Sequence, residues 1–186
     1  MAKPNKKPKN YIENKELYEQ IKRWKLKYDA EKELTGIEIG VSEELTRSIL
    51  LIATRTATRY NFSNYSFNED MIQDAMYVIL KYMRNYDLTR TNPHAYITTC
   101  CMNAFVNRIN IEKKATIKKY KHYVDFVETN ADIITNESAM AIDYDIVDQM
   151  YTRIDEFESK GDIEADEDLD NISDDNLIKF FDEGEK

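Results

Sequence analysis

The sequence predicts an all-α protein, and three observations carry the prediction. The 186 residues include only four Gly and three Pro, too few for the closely spaced turns of a sandwich or barrel. Glu, Lys, Ile, Leu and Ala are abundant, and apolar residues recur at three- and four-residue intervals along most of the chain. The length suits one folded domain with tails, since single domains run to about 100–200 residues. Apolar runs stay well short of the roughly 20 residues that span a bilayer, and the basic start MAKPNKKPKN has no apolar segment behind it. A soluble, unsecreted protein with no membrane partner is expected. Cys100 and Cys101 are adjacent, too few and too close for a disulfide framework or a chelating zinc site. They suit a reducing cytoplasm as bland core thiols.

Each element follows in order. Residues 1–13 read as a disordered basic arm. Asn14 is placed to cap a first helix, in which Leu17, Ile21, Trp24 and Tyr28 fall on one face. Gly36 and Gly40 loosen the chain before Ser42 caps a second helix. Glu43 and Glu44 sit in its first turn, and Leu45, Ile49, Ile52 and Thr56 run down its buried side. After the aromatic connector RYNFSNYS, Ser66 and Glu69 stand at capping-box spacing and open a third helix that extends to about Tyr86. A fourth opens at TNPHAY, where Asn92 caps and Pro93 takes the first helical position, where its missing N–H costs nothing. It runs to about Tyr123. An acidic helical extension covers 124–158, with Ile146, Met150 and Ile154 on one face of a fifth helix. Residues 159–172, rich in like charge, read as a flexible acidic linker.

Charge divides the chain. Residues 1–122 hold 22 Lys/Arg and 14 Asp/Glu, whereas residues 123–186 hold 4 and 21. A basic body suits phosphate backbones, and an acidic tail solvates or docks on basic partners. The fourth helix ends in RINIEKKATIKKYKHY, where Arg108, Lys113, Lys114, Lys118, Lys119 and Lys121 outnumber the single acid Glu112. Such a density of cations would hold phosphates and make binding salt-sensitive. The ordinary alternative is a solvated helix face.

The third helix carries two patterns. Ile72, Ala75, Met76, Ile79 and Met83 share a face that would seat it in a core. Asp70, Gln73 and Asp74 share another, at i, i+3, i+4, where a merely solvated surface is the commonest reason. The order of residues around this trio changes the odds. DMIQDAM, then Lys81, NYD at 85–87 and HAYITTCCMNAFVNRI resemble the second conserved region of the bacterial sigma factors, the promoter-recognition subunits of RNA polymerase. The likeness spans roughly residues 45–122. RYNFSNY, NPHAYIT and NAFVNRI in this arrangement, with an apolar-aromatic C-terminus, are similar to the phage branch, the late-transcription sigma factors of T-even-type bacteriophages.

The resemblance implies a sigma region-2-like helical domain over 14–123, an extra N-terminal helix included, in a non-catalytic subunit of the infected bacterial host's cytoplasm. It implies that Asp70, Gln73 and Asp74 grip a coiled coil on the largest subunit of host core polymerase, with Met76 and Leu80 adding apolar area. Carboxylates and an amide on a rigid helix can pair with arginines at defined spacing. It also implies that Tyr86 and Tyr96 wall a pocket for a flipped adenine of the minus-ten element.

Opening DNA needs aromatic faces for unstacked bases and a basic track for the backbone, each stacked base contributing about 1–3 kcal/mol. Tyr82, Tyr86 and Tyr96 bracket the turn NYDLTRTNPHAY, with Arg84 and Arg90 among them; packing of two helices against each other is the alternative use of these rings. On the fourth helix Thr99, Asn103, Val106 and Asn110, joined by Asn107, form a candidate base-reading face opposite Ile97, Cys101, Phe105 and Ile109. Here the chain departs from the primary sigma factors, whose tryptophan pair is replaced by Thr99 and Cys100, and whose glutamine and threonine become Asn103 and Val106.

No helix-turn-helix domain reading a minus-thirty-five element is expected within these residues. In the tip, 173–186, Ser173 caps a short helix with Leu177, Ile178, Phe180 and Phe181 on its apolar side. A helix this short orders only on a partner groove. Its D-x-x-L-x-x-F-F pattern resembles the motif that replication sliding clamps bind, with aspartate in place of the usual leading glutamine. Clamp tethering is the implied consequence, and a late-transcription coactivator is a further partner the family allows. Two other functions fit parts of the chain. One is a metal-dependent nuclease using Glu69, Asp70 and Asp74, which lacks a second carboxylate cluster; the other is a clamp-tethered DNA-binding replication accessory.

Overall fold

The computed structural model describes residues 12–130, 143–159 and 161. Residues 1–11 of the expected 1–13 arm, residues 131–142 of the acidic extension, most of the 159–172 linker and the whole tip at 173–186 lie outside these residues. All regular structure among the described residues is helical: α1 (Asn14–Thr35), α2 (Glu43–Ala57), α3 (Asn68–Tyr82), a 3-10 turn (Met83–Asn85), α4 (Pro93–Thr129) and α5 (Tyr144–Glu158). None of these helices is long and apolar enough to cross a membrane.

The described chain falls into two compact units that meet within α4, one running through Val106 and the other beginning at Asn107. In the first, α2 packs against both α1 and α3. Leu17, Ile21, Trp24 and Tyr28 of α1 are buried as their spacing predicts, as are Leu45, Ile49, Ile52 and Thr56 of α2. Each fully buried aliphatic side chain contributes roughly 1.5–3 kcal/mol, which outweighs the modest helix propensity of the β-branched Ile21, Ile49, Ile52 and Thr56. Ser48 adds a buried polar link by donating its hydroxyl hydrogen to Gln20 Oε1 at 2.8 Å. The first turns of α4 bury Ile97, Cys101 and Phe105; Phe105 meets Phe62 edge-on at 5.2 Å. Burial raises both thiols, Cys101 to about 12, so they remain protonated core groups.

Helix ends divide between expectation and correction. The Ser42 hydroxyl accepts from Leu45 N at 3.4 Å, and Asn92 Oδ1 accepts from Ala95 N at 3.1 Å, both as capping chemistry requires. Gly36 closes α1 in the left-handed conformation, φ 71°, and sends its N–H to Lys32 O, an ending that favours a residue without Cβ. Ser66 does not open α3. Phe67 occupies the N-cap position without a side-chain cap, and Asn68 instead donates to Ala57 O at 3.1 Å and Phe62 O at 3.0 Å. Its amide thereby ties the start of α3 to the last carbonyl of α2 and to the connector. Asn14 likewise does not cap α1, whose N-cap is Glu13. It serves α4, as described below.

In the second unit α4 continues six residues past the expected end, to Thr129. Val124 and Val127 pack with Val147, and Met150 and Ile154 lie against that cluster. The fifth helix therefore seats itself on Val147, Met150 and Ile154, while Ile146 is 47% exposed. Both triplets lie at helical spacing, so periodicity alone does not separate them. Polar links flank the seam: Lys121 to Glu158 and Tyr151 to Glu128.

Candidate functional site

α3 presents a narrower outer face than its sequence suggests. Met71, Ala75, Val78, Ile79 and Tyr82 are buried, and so is Asp74 at 7% exposure. Of the expected stripe, Ala75, Ile79 and Met83 are buried as predicted, whereas Ile72 and Met76 are only half-buried and Met71, Val78 and Tyr82 take the interior beside them. Apolar residues surround much of this helix, and the packing against α2 selects among them. The acid-amide-acid trio is divided as a result. Asp70 and Gln73 point to solvent, whereas Asp74 is turned inward, where it is not left without a partner. Tyr77, 44% exposed, completes an outer stripe with Asp70 and Gln73 at i, i+3, i+7. Lys81 Nζ lies 5.6 Å from the Tyr77 ring centroid, within cation–π range, and Leu80 is half-buried beside this stripe. Tyr77 was legible as the residue one turn beyond Gln73, a signal passed over because tyrosine counts equally as core.

The turn between α3 and α4 is built rigidly. Helix α3 stops at Tyr82, short of the expected Tyr86, and the 3-10 turn delivers Tyr86 into extended backbone. Thr89 N and Thr89 Oγ1 donate to the two carboxylate oxygens of Asp87 at 2.8 and 2.6 Å. The hydroxyl bond leads in holding the Asp87 carboxyl below its usual range. Tyr86 is 1% exposed, its hydroxyl donates to Arg90 O at 2.7 Å, and burial pushes its phenol up to about 12. Its ring stands edge-on to Tyr96, with centroids 5.0 Å apart. Rings in that contact leave no slot for a base between them, so the expected two-walled pocket is closed here. Tyr82 is also buried, at 7%. Of the three bracketing tyrosines only Tyr96 is not fully buried, although burial raises its phenol as well.

Helix α1 splints this turn, a role absent from the sequence reading. Asn14 donates through Nδ2 to Thr91 O at 2.9 Å and accepts from His94 N at 3.1 Å. Tyr18 OH donates to Leu88 O at 2.9 Å, and the Lys25 ammonium donates to Tyr86 O. Positions 14, 18 and 25 lie on one helix face, and they meet the connector's main chain in antiparallel order. Nearby, Glu38 accepts from Lys32 at 2.9 Å and from Arg84 at 2.8 Å. The Lys32 bond is the main reason the Glu38 carboxyl lies below its ordinary range. Arg84 therefore ties the end of α3 to the loop after α1. Replacing Asn14 with Ala removes a cap from α4 and should cost about 0.5–2 kcal/mol, and Tyr18→Phe should cost about 0.5–1.5 kcal/mol. Urea unfolding of the two variants measures this; unchanged midpoints would mean that the connector holds its shape without α1.

On α4 the two expected faces separate as the spacing predicts. Ile97, Cys101, Phe105 and Ile109 are buried, and Val106 is 49% exposed. Thr99, Asn103, Asn107 and Asn110 are half-buried. Thr99 spends its hydroxyl hydrogen on Ala95 O at 3.0 Å, whereas Asn103 Nδ2 is buried with no hydrogen-bond partner among the described residues. In the second unit Arg108 pairs with Glu112 at 3.6 Å and Lys121 pairs with Glu158. Lys113, Lys118 and Lys119 are exposed and Lys114 is half-buried. Among the described residues no three His, Cys, Asp or Glu side chains gather as metal ligands. No protein-family model matches the chain, and no curated protein matches it.

Proposed function

We propose that this chain is a phage-type sigma factor: a non-catalytic subunit that attaches to host core RNA polymerase, recognises and melts the minus-ten element of late promoters, and is tethered to a sliding clamp by its C-terminus. The observation that carries the proposal is the α3–α4 junction. One hydrogen-bonded turn joins a helix with Asp70, Gln73 and Tyr77 on its outer face to the first turns of α4, where Tyr96, Thr99 and Asn103 are half-buried. A subunit that must hold a protein and a strand in fixed register needs such a junction, because a loose turn would lose the register at an entropic cost.

Polymerase contact falls to Asp70 and Gln73 with Tyr77 and the apolar edges of Met76 and Leu80. Asp74 acts from within, holding the helix in place. Base capture falls to Tyr96, with Tyr86 as its edge-on backing and Arg90 nearby. Thr99, Asn103, Val106, Asn107 and Asn110 supply small groups for base edges, and Lys113, Lys114, Lys118 and Lys119 supply phosphate contacts. The acidic segment beyond residue 161 keeps clamp and polymerase at high effective concentration.

Run-off transcription tests the whole proposal. Host core polymerase plus this protein should start specific transcripts on a template with an A/T-rich minus-ten element. Adding clamp should stimulate them, and deleting residues 173–186 should remove the stimulation while sparing basal transcripts. Absence of promoter-dependent transcripts despite a folded protein would end the proposal.

A further inference from the structure

We infer that α5 is an autoinhibitory cover on the basic half of α4: its acids compete with nucleic-acid phosphates for the α4 cations and so lower the affinity of the free chain for nucleic acid. The inference rests on the phosphate-binding role proposed above for Lys113, Lys114, Lys118 and Lys119. Both elements belong to the second unit. Along residues 107–121 α4 carries six Lys and Arg against one acid, Glu112. In contrast, α5 carries five acids, Asp145, Asp148, Asp155, Glu156 and Glu158, against the single cation Arg153.

Contacts between the two helices fix where the acids lie. Tyr151 OH donates to Glu128, Arg153 donates to Tyr120 OH at 3.3 Å, and Lys121 donates to Glu158 at 2.5 Å. Residue numbers rise along α4 as they fall along α5, so the helices run antiparallel. The last turn of α5, with Asp155, Glu156 and Glu158, therefore lies beside the turn of α4 that holds Lys118, Lys119 and Lys121. Packed helices have axes about 8–10 Å apart, close to the Debye length of about 8 Å at physiological salt, so salt screens these carboxylates from the cations only in part. Lys121 and Glu158 are each about half exposed, which gives a phosphate access to the ammonium that Glu158 holds. Such a surface pair adds little to stability, so holding the fold does not account for the acids. The seam is also thin. Val124, Val127 and Val147 are buried with Met150 and Ile154 against them, while Tyr144, Ile146 and Tyr151 stay exposed. A helix seated on so small an apolar area can be drawn off, and its departure uncovers the cations.

The test measures binding of the full-length protein to a short fluorescein-labelled DNA duplex by anisotropy across a salt series. Asp155→Asn, Glu156→Gln and Glu158→Gln combined should raise affinity about tenfold at low salt. Glu158→Gln alone should steepen the dependence of log Kd on log salt by about 0.9, the slope of one added phosphate contact. Lys121→Gln should cost less affinity in the wild-type background than in the Glu158→Gln background, because in the former Glu158 already engages that ammonium. These side chains are all exposed, so the variants keep the fold, and circular dichroism verifies it. Lys118→Gln with Lys119→Gln is the reference. If that pair leaves affinity unchanged, the phosphate role of α4 falls and the inference falls with it. If the pair weakens binding while the acid variants bind no tighter than wild type, or if Lys121→Gln costs the same in both backgrounds, the phosphate role stands and the autoinhibitory cover is overturned.

Discussion

Asp70→Ala combined with Gln73→Ala is expected to lower affinity for core RNA polymerase by roughly 30-fold to 1000-fold, the 2–4 kcal/mol typical of residues that dominate an interface. Both side chains are exposed on α3, so the fold loses little. Asp70 lies in the first turn of its helix, where a carboxylate contributes about 0.3–1 kcal/mol through the helix dipole. Glu69→Ala provides the matched control, because Glu69 occupies the same turn and shares the dipole effect without belonging to the contact stripe. Thermal unfolding and a polymerase pull-down, run side by side, separate the two effects. Equal affinity of the double variant and wild type would remove α3 from the interface. Asp74→Ala should behave differently, since it empties a buried position and lowers stability before any binding is measured.

The second large effect concerns Tyr86. Its ring is buried against Tyr96 and its hydroxyl serves Arg90 O, so Tyr86→Ala should cost about 3–5 kcal/mol, as aromatic-to-alanine changes in cores do. A domain whose total stability is about 5–15 kcal/mol would then stand close to unfolding. Tyr86→Phe keeps the ring and removes only the hydroxyl bond, a loss of about 0.5–1.5 kcal/mol. Urea denaturation of both variants measures the contrast. A Tyr86→Ala variant as stable as wild type would place the ring outside the core and restore the two-walled pocket that the family resemblance implies.

Much of the scaffold was legible in the amino-acid sequence, because helices announce themselves locally. Ser42, Asn92 and Pro93 mark helix starts through chemistry confined to one turn, and the buried faces of α1, α2 and the first half of α4 follow from uninterrupted apolar spacing. Where a stripe was clean, its neighbours had no alternative to choose. The candidate surfaces were less legible. Asn14 and Tyr18 stand 77 and 70 positions from the Thr91 and Leu88 carbonyls they hold, and only packing brings α1 to that connector.

Tertiary structure decided the ambiguous cases, each for an identifiable reason. Helix α3 has apolar residues on more than one side, so contact with α2 chose Met71, Ala75, Val78 and Tyr82 for the interior and carried Asp74 in with them. Ile146 and Val147 compete at neighbouring positions, and the α4 seam of Val124 and Val127 took the valine. Asn14 can satisfy any nearby backbone donor, and the one that reached it belonged to His94 of α4 rather than to its own helix. Local sequence determined that these segments are helices and where α2 and α4 begin. Which face turned inward, which tyrosine became core and which helix braced the connector depended on partners distant in sequence, because burial and hydrogen bonding are satisfied in space rather than along the chain.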